Sequence, residues 1–210
     1  MENVEYFNHT RKEIAPLLPN KIERILEIGC GSGNTVSWVK QEWGCKWAGG
    51  VELFSEAAEK ARDKIDIVYC GDIEKLDLTL EESSLDVILC LDVLEHLVDP
   101  WGLIAKLYRL LKTGGVIIAC IPNMRNFHVT FPLLLFGQWN YTNDNFLDKT
   151  HLRFFTKITA IDLLECSGLK VDVVNETGFE RWSNSRIANI LTFGLLKPVF
   201  VYEYLIRAKK

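Results

Sequence analysis

Residues 24–34, RILEIGCGSGN, decide the fold of this chain. The first five residues form a largely apolar run rich in β-branched side chains, which is typical of a strand buried on both faces of a parallel sheet. Glycines follow at positions 29, 31 and 33, and the residues from Asn34 onward can begin a helix. Glycine allows positive φ angles and close approach of the backbone to a ligand, and a helix start offers unpaired N–H groups. This combination favours a nucleotide site over a plain turn without a ligand.

The charge of Glu27 narrows the choice of ligand. This carboxylate lies two residues before the first glycine, where it would repel a pyrophosphate and attract an ammonium group. A dinucleotide fold also requires the order G-x-G-x-x-G, whereas Asn34 stands here at the position of the last glycine. An NAD-dependent oxidoreductase is therefore disfavoured. S-adenosylmethionine fits better, because it carries an α-ammonium and a sulfonium but no phosphate.

The same stretch resembles motif I of the class I S-adenosylmethionine-dependent methyltransferases, (V/L)-(L/D)-(D/E)-(I/V/L)-G-x-G-x-G, and matches that motif at every position from Leu26 to Gly33, with the similar apolar residue Ile25 at the first. The resemblance implies S-adenosylmethionine as the cofactor, S-adenosylhomocysteine as the product, and no metal. It places the following residues at the cofactor: Glu27, Gly29, Cys30, Gly31, Gly33 and Asn34.

Acidic residues after later strands extend the predicted cofactor site. Glu52 follows Gly33 by about 20 residues, the spacing at which Rossmann-like sheets place an acid for the ribose hydroxyls. An exposed acid of no consequence at the strand end is the alternative. Leu53 or Phe54 would then pack on the adenine face. The family resemblance adds contacts at the adenine edge and at the end of the fourth strand: Asp72, Ile73, Leu91 and Asp92.

Length and composition exclude several classes of protein. The 210 residues suffice for one domain with a substantial core and are too few for two of ordinary size. The net charge is −4 with dispersed Lys and Arg residues, so no nucleic-acid surface is predicted. The first ten residues contain no apolar run and predict no signal peptide. Six cysteines without a C-x-x-C pair indicate a reduced, cytoplasmic protein rather than a disulfide or zinc framework.

The remaining sequence predicts alternating strands and helices. Strands are expected at 46–52, 67–70, 85–91, 116–121, 169–175 and 201–208, and helices at 34–43, 55–64, 158–166 and after Asp99. Ser55, Asp99 and Thr156 are the expected helix caps. An amphipathic helix is expected at residues 3–18, with Tyr6 either at the cofactor or substrate or simply packed.

Two longer segments strengthen the resemblance. Residues 91–100 read L-D-x-L-E-H-L-x-D-P, and residues 111–123 read L-K-x-G-G, an apolar strand and P-N. In this order they resemble the methyltransferases of ubiquinone biosynthesis and their relatives in bacterial polysaccharide clusters. The resemblance implies an α/β, Rossmann-like, seven-stranded and mostly parallel sheet of order 3-2-1-4-5-7-6, with strand 7 antiparallel and helices on both faces. Residues 1–210 would then form a single class I methyltransferase domain.

Residues 123–156 interrupt the alternation with an aromatic-rich stretch that is too long for an ordinary connection. In the related methyltransferases the region after strand five shapes the acceptor pocket. This stretch, here named the acceptor-side insert, is therefore predicted to face a small-molecule acceptor. The apolar run 187–200 predicts a core or partner helix, and Lys197 and Pro198 within it make it a poor membrane span. Together with the apolar run 131–136 it would allow a peripheral membrane contact, which is not expected.

Two histidines are candidates for a catalytic base. His96 lies in LEHL, which the resemblance places near the methyl end of the cofactor, and His151 lies in THLRFFT, similar to the H-x-R-x-(F/Y) segment of the polysaccharide-cluster relatives. A structural histidine is the alternative for each. Arg153 would bind an anionic substrate or pair with an acid such as Asp148.

These observations favour a methyltransferase acting on a small molecule. The resemblance favours O-methylation of a sugar, a glycan precursor or a quinone-type acceptor. A non-catalytic S-adenosylmethionine-binding sensor or partner domain is the alternative, because the acids of the cofactor site indicate binding without establishing turnover. The sequence does not indicate an oligomeric state.

Overall fold

A seven-stranded sheet in the order β3-β2-β1-β4-β5-β7-β6 organises the chain. The computed structural model describes residues 9–178 and 194–210. Strands β1 to β5 pair in parallel, whereas β7 runs antiparallel to β5 and β6, which confirms the predicted class and strand order. The strands are β1 Arg24–Ile28, β2 Trp47–Glu52, β3 Ile67–Cys70, β4 Leu85–Leu91, β5 Leu111–Pro122, β6 Lys170–Glu176 and β7 Glu203–Lys209.

Helices cover both faces of this sheet. They are α1 Asn34–Trp43, α2 Ser55–Arg62, α3 Pro100–Leu110, α4 Phe127–Phe136 and α5 Lys157–Glu165, with 3-10 helices at Lys12–Leu17 and Leu94–His96 and a single turn at Lys197–Phe200. Alternate β4 residues enter two separate cores: Ile88 packs in the core that includes α3 and α5, and Leu89 packs in the core that includes α1. Both neighbours are fully buried, as expected for a central strand of a parallel sheet.

Local capping confirms two predicted helix starts and corrects a third. The Asp99 carboxylate accepts the Gly102 N–H at 3.0 Å, and Thr156 forms a capping box with Thr159. The prediction of Ser55 as a cap was wrong, because the extended residue Phe54 occupies the N-cap and Ser55 is already helical.

Other element boundaries also differ from the predictions. The described part of the expected N-terminal helix is the 3-10 helix Lys12–Leu17, and its first residues, including Tyr6, lie outside the described ranges. Strand β5 begins at Leu111 rather than at residue 116, because Leu111 pairs with Leu85 before a register shift. Of the helix expected at 187–200, residues 187–193 lie outside the described ranges, and Lys197–Phe200 forms one turn.

The acceptor-side insert contains an unpredicted helix, α4, which the Asn126 side chain caps by accepting the His128 N–H. The insert is attached to the segment just before β7, since the side-chain amides of Asn123 and Asn126 both donate to the Val201 carbonyl, at 2.9 and 2.8 Å. Most apolar side chains of α4 are exposed, Leu134 by 80%. In the ranges that the structure describes, no helix combines the length and the apolar character required to cross a bilayer.

Candidate functional site

The glycine loop between β1 and α1 adopts the predicted conformation. Gly29, Gly31 and Gly33 all have positive φ angles, of 70°, 53° and 74°. At Gly29 a Cβ atom would lie 2.5 Å from Cγ2 of Val93, so the backbone here is too close to its neighbour for a larger residue. The N–H groups of Gly29 and Cys30 both donate to the Val51 carbonyl, at 2.8 and 3.0 Å. The loop is therefore held against the end of β2.

Glu52, the last residue of β2, connects the glycine loop to the start of the next helix. Its Oε2 accepts the Gly31 N–H at 2.8 Å and its Oε1 accepts the Phe54 N–H at 3.0 Å. The side chain is buried. Each carboxylate oxygen has a second lone pair, so the contacts that fix Glu52 leave acceptor capacity for hydroxyl groups. The next side chain, Leu53, is 59% exposed and offers an apolar surface at the same edge.

Glu27, in β1, contacts the start of α1. Its Oε2 accepts the Val36 N–H at 3.1 Å, and the side chain is buried. Burial raises the pKa of Glu27 to about 8, opposed by the Val36 hydrogen bond and the positive charge of Arg11. A cationic ligand group would shift this equilibrium toward the carboxylate, so the residue suits an ammonium group.

The other predicted cofactor residues lie at the same edge of the sheet. Cys30 is buried, and a Cβ at Gly50 would lie 2.5 Å from its sulfur, so it packs rather than faces solvent. The side-chain oxygen of Asn34 accepts a hydrogen bond from Lys64 at 2.6 Å. Asp72 pairs with Lys75 at 2.8 Å, and that contact lowers the pKa of the carboxyl group. Ile73 and Leu91 are buried at the ends of the segments predicted to hold them.

Asp92 belongs to a charged cluster that the sequence does not indicate. It follows β4 with a φ angle of 55°, unusual for a residue other than glycine, and its carboxylate pairs with Arg11. Arg11 also lies 3.6 Å from Glu203 and 3.2 Å from the sulfur of Cys120. The cluster joins the N-terminal segment to the ends of β4, β5 and β7.

His96 and His151 lie together, although they are distant in the sequence. Their ring centroids are 4.7 Å apart at an interplanar angle of 73°. Nδ1 of His96 is 3.2 Å from the Thr150 carbonyl, and Nδ1 of His151 is 3.0 Å from the Phe146 carbonyl. Burial and, next, the neighbouring His151 lower the pKa of His96. A neutral imidazole with one nitrogen held by a carbonyl is suited to accept a proton at the other.

Arg153 interacts with a backbone carbonyl and with an aromatic ring. Its Nε donates to the Val98 carbonyl at 3.1 Å, its Nη2 bonds the same oxygen, and its guanidinium lies 5.6 Å from the Trp101 ring centroid. Within the described ranges it forms no ion pair with Asp148, whose carboxylate accepts instead from Thr150. Tyr6, the other predicted substrate residue, lies outside the described ranges.

Two cavities adjoin this region and share Tyr202. One, of about 290 Å³, has a mainly polar lining that includes Arg11, Thr177 and Glu203. The other, of about 300 Å³, lies inside the acceptor-side insert and is lined by side chains that include Phe146. Since Phe146 also contacts His151 through its carbonyl, the insert connects the second cavity to the histidine pair.

Sequence reasoning missed three residues of the site. Arg11 and Glu203 carry no local signal, because only folding brings them to Asp92. Glu95 stands beside His96 in LEHL, and its burial could have been suspected from the apolar residues on both sides.

Among the described residues, two groups bring three possible ligand atoms within 4.8 Å of one another: Glu95, His96 and His151, and Asp92, Cys120 and Glu203. In the second group the guanidinium of Arg11 already occupies the position of a cation. That the cofactor site holds no metal stays a prediction.

Comparisons with known proteins identify the family of this chain. A family model described as "Methyltransferase domain" matches residues 3–174. A ubiquinone biosynthesis O-methyltransferase of Coxiella burnetii is 27% identical over 186 residues, which cover 80% of this chain and 76% of that protein. A ubiquinone biosynthesis O-methyltransferase of Neisseria meningitidis is 22% identical over 169 residues, which cover 74% of this chain and 70% of that protein. A solved SAM-dependent methyltransferase from Archaeoglobus fulgidus shares the fold with a TM-score of 0.70 at 23% identity, covering 98% of this chain and 97% of that one. The chain therefore belongs to the methyltransferase domain family and is a class I S-adenosylmethionine-dependent methyltransferase.

Proposed function

We propose that this protein transfers the methyl group of S-adenosylmethionine to a hydroxyl group of a small molecule. The observation that carries the proposal is the His96–His151 pair, which the acceptor-side insert brings against the 3-10 helix that follows β4. The relatives named as ubiquinone biosynthesis O-methyltransferases support oxygen as the acceptor atom. A sugar, a glycan precursor and a quinone-type molecule are the acceptor classes to test.

The residues at the carboxyl edge of the sheet suit the parts of S-adenosylmethionine. Glu52 would accept from the ribose hydroxyls, Leu53 would pack on the adenine, and Asp72 with the Ile73 N–H would meet its edge. Glu27 would receive the ammonium group, with the backbone of Gly29 and Gly31 close to the ligand and Asp92 near its reacting end. This assignment rests on the carboxylates of Glu52 and Glu27, which can each accept further hydrogen bonds, and on the exposed side chain of Leu53, all at one edge of the sheet.

Chemistry at this site consists chiefly of positioning. The cofactor supplies a methyl group that its sulfonium has already activated, so the chain must align the acceptor and exclude water. His151 would take the hydroxyl proton at Nε2, since Nδ1 is held at the Phe146 carbonyl. His96 is the second candidate for this role. The cavity inside the insert, of about 300 Å³, would hold the acceptor, and Phe146 in its lining bonds His151 through the backbone carbonyl.

A non-catalytic cofactor-binding domain is the second candidate function. The acids and glycines of the loop would serve a sensor as well as an enzyme, whereas the half-buried pair of His96 and His151 suits proton transfer, which only turnover requires. This difference favours turnover.

The experiment has two stages. Separate calorimetric titrations with S-adenosylmethionine and NAD should show binding of the first alone. A panel of nucleotide sugars, lipid-linked glycans and quinone precursors is then assayed for released S-adenosylhomocysteine and, by mass spectrometry, for methylated product. Cofactor binding without any methylated product across the panel would favour the sensor, and NAD binding would refute both functions.

A further inference from the structure

Glu95 carries a buried carboxyl group without a hydrogen-bond partner. It lies in the 3-10 helix after β4 and is 2% exposed, and neither Oε1 nor Oε2 is bonded to any part of the chain that the structure describes. Burying a polar group without a partner is costly, so each such group in a native protein needs an explanation. An ion bound by the side chain is one such explanation.

Two imidazole rings stand beside this carboxyl group. One oxygen of Glu95 and one ring nitrogen each of His96 and His151 lie within 4.8 Å of one another. Nδ1 of His96 lies 3.2 Å from the Thr150 carbonyl, and Nδ1 of His151 lies 3.0 Å from the Phe146 carbonyl. Because a carbonyl can only accept, each neutral ring carries its proton on Nδ1 and keeps a lone pair on Nε2. Histidines that bind metals show this arrangement, with the N–H of the other ring nitrogen donated to a carbonyl, carboxylate or water.

Backbone hydrogen bonds hold together the two segments that supply these groups. Glu95 and His96 follow β4, whereas His151 belongs to the acceptor-side insert. The Glu95 carbonyl accepts the N–H groups of Leu152 and Arg153 at 2.8 and 2.9 Å. Tetrahedral ligands at about 2.0–2.1 Å from Zn²⁺ lie roughly 3.4 Å apart. From a separation of at most 4.8 Å, the three side chains therefore need to approach one another by at most about 1.4 Å.

In the second three-group cluster of the site, a side chain already supplies the cation. The Arg11 guanidinium pairs there with Asp92 and lies 3.6 Å from Glu203. No side chain of the described ranges bonds the Glu95 carboxyl group in this way. Two imidazoles and one carboxylate suit a divalent transition-metal ion such as Zn²⁺ or Fe²⁺, whereas Mg²⁺ and Ca²⁺ prefer oxygen ligands.

We propose that Glu95, His96 and His151 bind a divalent transition-metal ion where the acceptor-side insert meets the 3-10 helix after β4. Three protein ligands leave at least one coordination position open, as in catalytic zinc sites. The site would be additional to the cofactor residues, for which no metal is predicted.

The open position gives the ion a role in the proposed function, and this part of the inference rests on that function. An acceptor hydroxyl bound to the ion would lose its proton to water more readily, because the ion stabilises the oxygen anion. That oxygen then bonds the methyl carbon, and the carbon–sulfur bond breaks with its electron pair left on sulfur. With the ion bound, His151 is a ligand, and it takes the proton itself only where the ion is absent.

Metal titration tests the site without cofactor or acceptor. Protein treated with EDTA and dialysed is titrated with Zn²⁺ in a calorimeter and should bind one ion per chain. Glu95→Gln keeps the shape of the side chain and removes the carboxylate. It should lower the affinity by more than the roughly 10- to 100-fold that losing an outer partner of a ligand costs, and so should His151→Gln. The matched controls Glu59→Gln and His9→Gln change exposed residues outside the cluster and should bind Zn²⁺ normally.

NMR on the unmodified protein covers variants that do not fold. Addition of Zn²⁺ should shift the imidazole signals of His96 and His151, with the proton kept on Nδ1, and should leave those of His9 and His128 unchanged. Mg²⁺ should not reproduce these shifts. A role of Glu95 in packing alone would produce none of them.

The outcomes separate the site from its role in the reaction. Folded, EDTA-treated protein that binds no Zn²⁺, or a folded Glu95→Gln variant that binds it equally well, would refute the site. Shifts at His9 or His128 alone, or equal binding of Mg²⁺, would refute it too. Turnover lost in EDTA should return with Zn²⁺ or Fe²⁺; turnover that EDTA does not change would refute the role in the reaction and leave the site. Absence of S-adenosylmethionine binding would refute the proposed function alone.

Discussion

Glu52 is the most informative residue to change, because it connects the glycine loop to the expected ribose position. Replacing it with alanine removes the acceptor of both the Gly31 and the Phe54 N–H groups. A hydrogen bond to a charged group contributes about 1.5–3 kcal/mol, so the affinity for S-adenosylhomocysteine should fall roughly 10- to 150-fold. Calorimetry measures this loss. The exposed residue Glu42 of α1 provides the control Glu42→Ala, which should bind normally.

A second ligand separates direct contact from loop order. An analogue of S-adenosylhomocysteine without the two ribose hydroxyls cannot bond to Glu52, so the alanine variant should bind it almost as well as the unmodified protein does. Equal losses for both ligands would show that Glu52 acts only through the loop. A folded Glu52→Ala protein with unchanged affinity for S-adenosylhomocysteine would refute the assignment altogether. Urea unfolding of each variant reports whether the fold is intact.

Three other predictions address the remaining parts of the site. Gly31→Val should abolish cofactor binding in calorimetry while circular dichroism shows an intact sheet, because a side chain there would enter the ligand space at a φ of 53°. Glu27→Gln should remove a pH dependence of stability: the carboxyl pKa rises from 4.5 to about 8 on folding, so the folded protein binds the extra proton and loses stability as pH rises through that window. Urea unfolding at pH 9 should therefore find this variant more stable than the unmodified protein, by at most on the order of 4 kcal/mol. His151→Gln should leave cofactor affinity unchanged and lower turnover by about 10²–10⁴-fold, and full turnover with the same pH profile would exclude it as the base.

Most elements of the fold could be predicted from the sequence because their signals are local. The strand, glycine turn and helix start of residues 24–34 lie within a few residues of one another, and the caps at Asp99 and Thr156 act within three residues. Helix α4 was missed because apolar residues occupy all its sides and leave no helical period, and Pro132 lies inside it.

The sequence by itself determined the strand order, through the family motifs, and the glycines and acids that form the cofactor edge. Only the tertiary structure decided which charges meet there. Arg11 reaches Asp92 and Glu203 because the carboxyl ends of β4 and β5 lie at the same edge as the start of antiparallel β7. Glu95 is buried beside the insert, two N–H groups of which bond its carbonyl, a contact between segments more than 50 residues apart. No local pattern encodes such contacts, since they depend on how the sheet and the insert bring distant segments together.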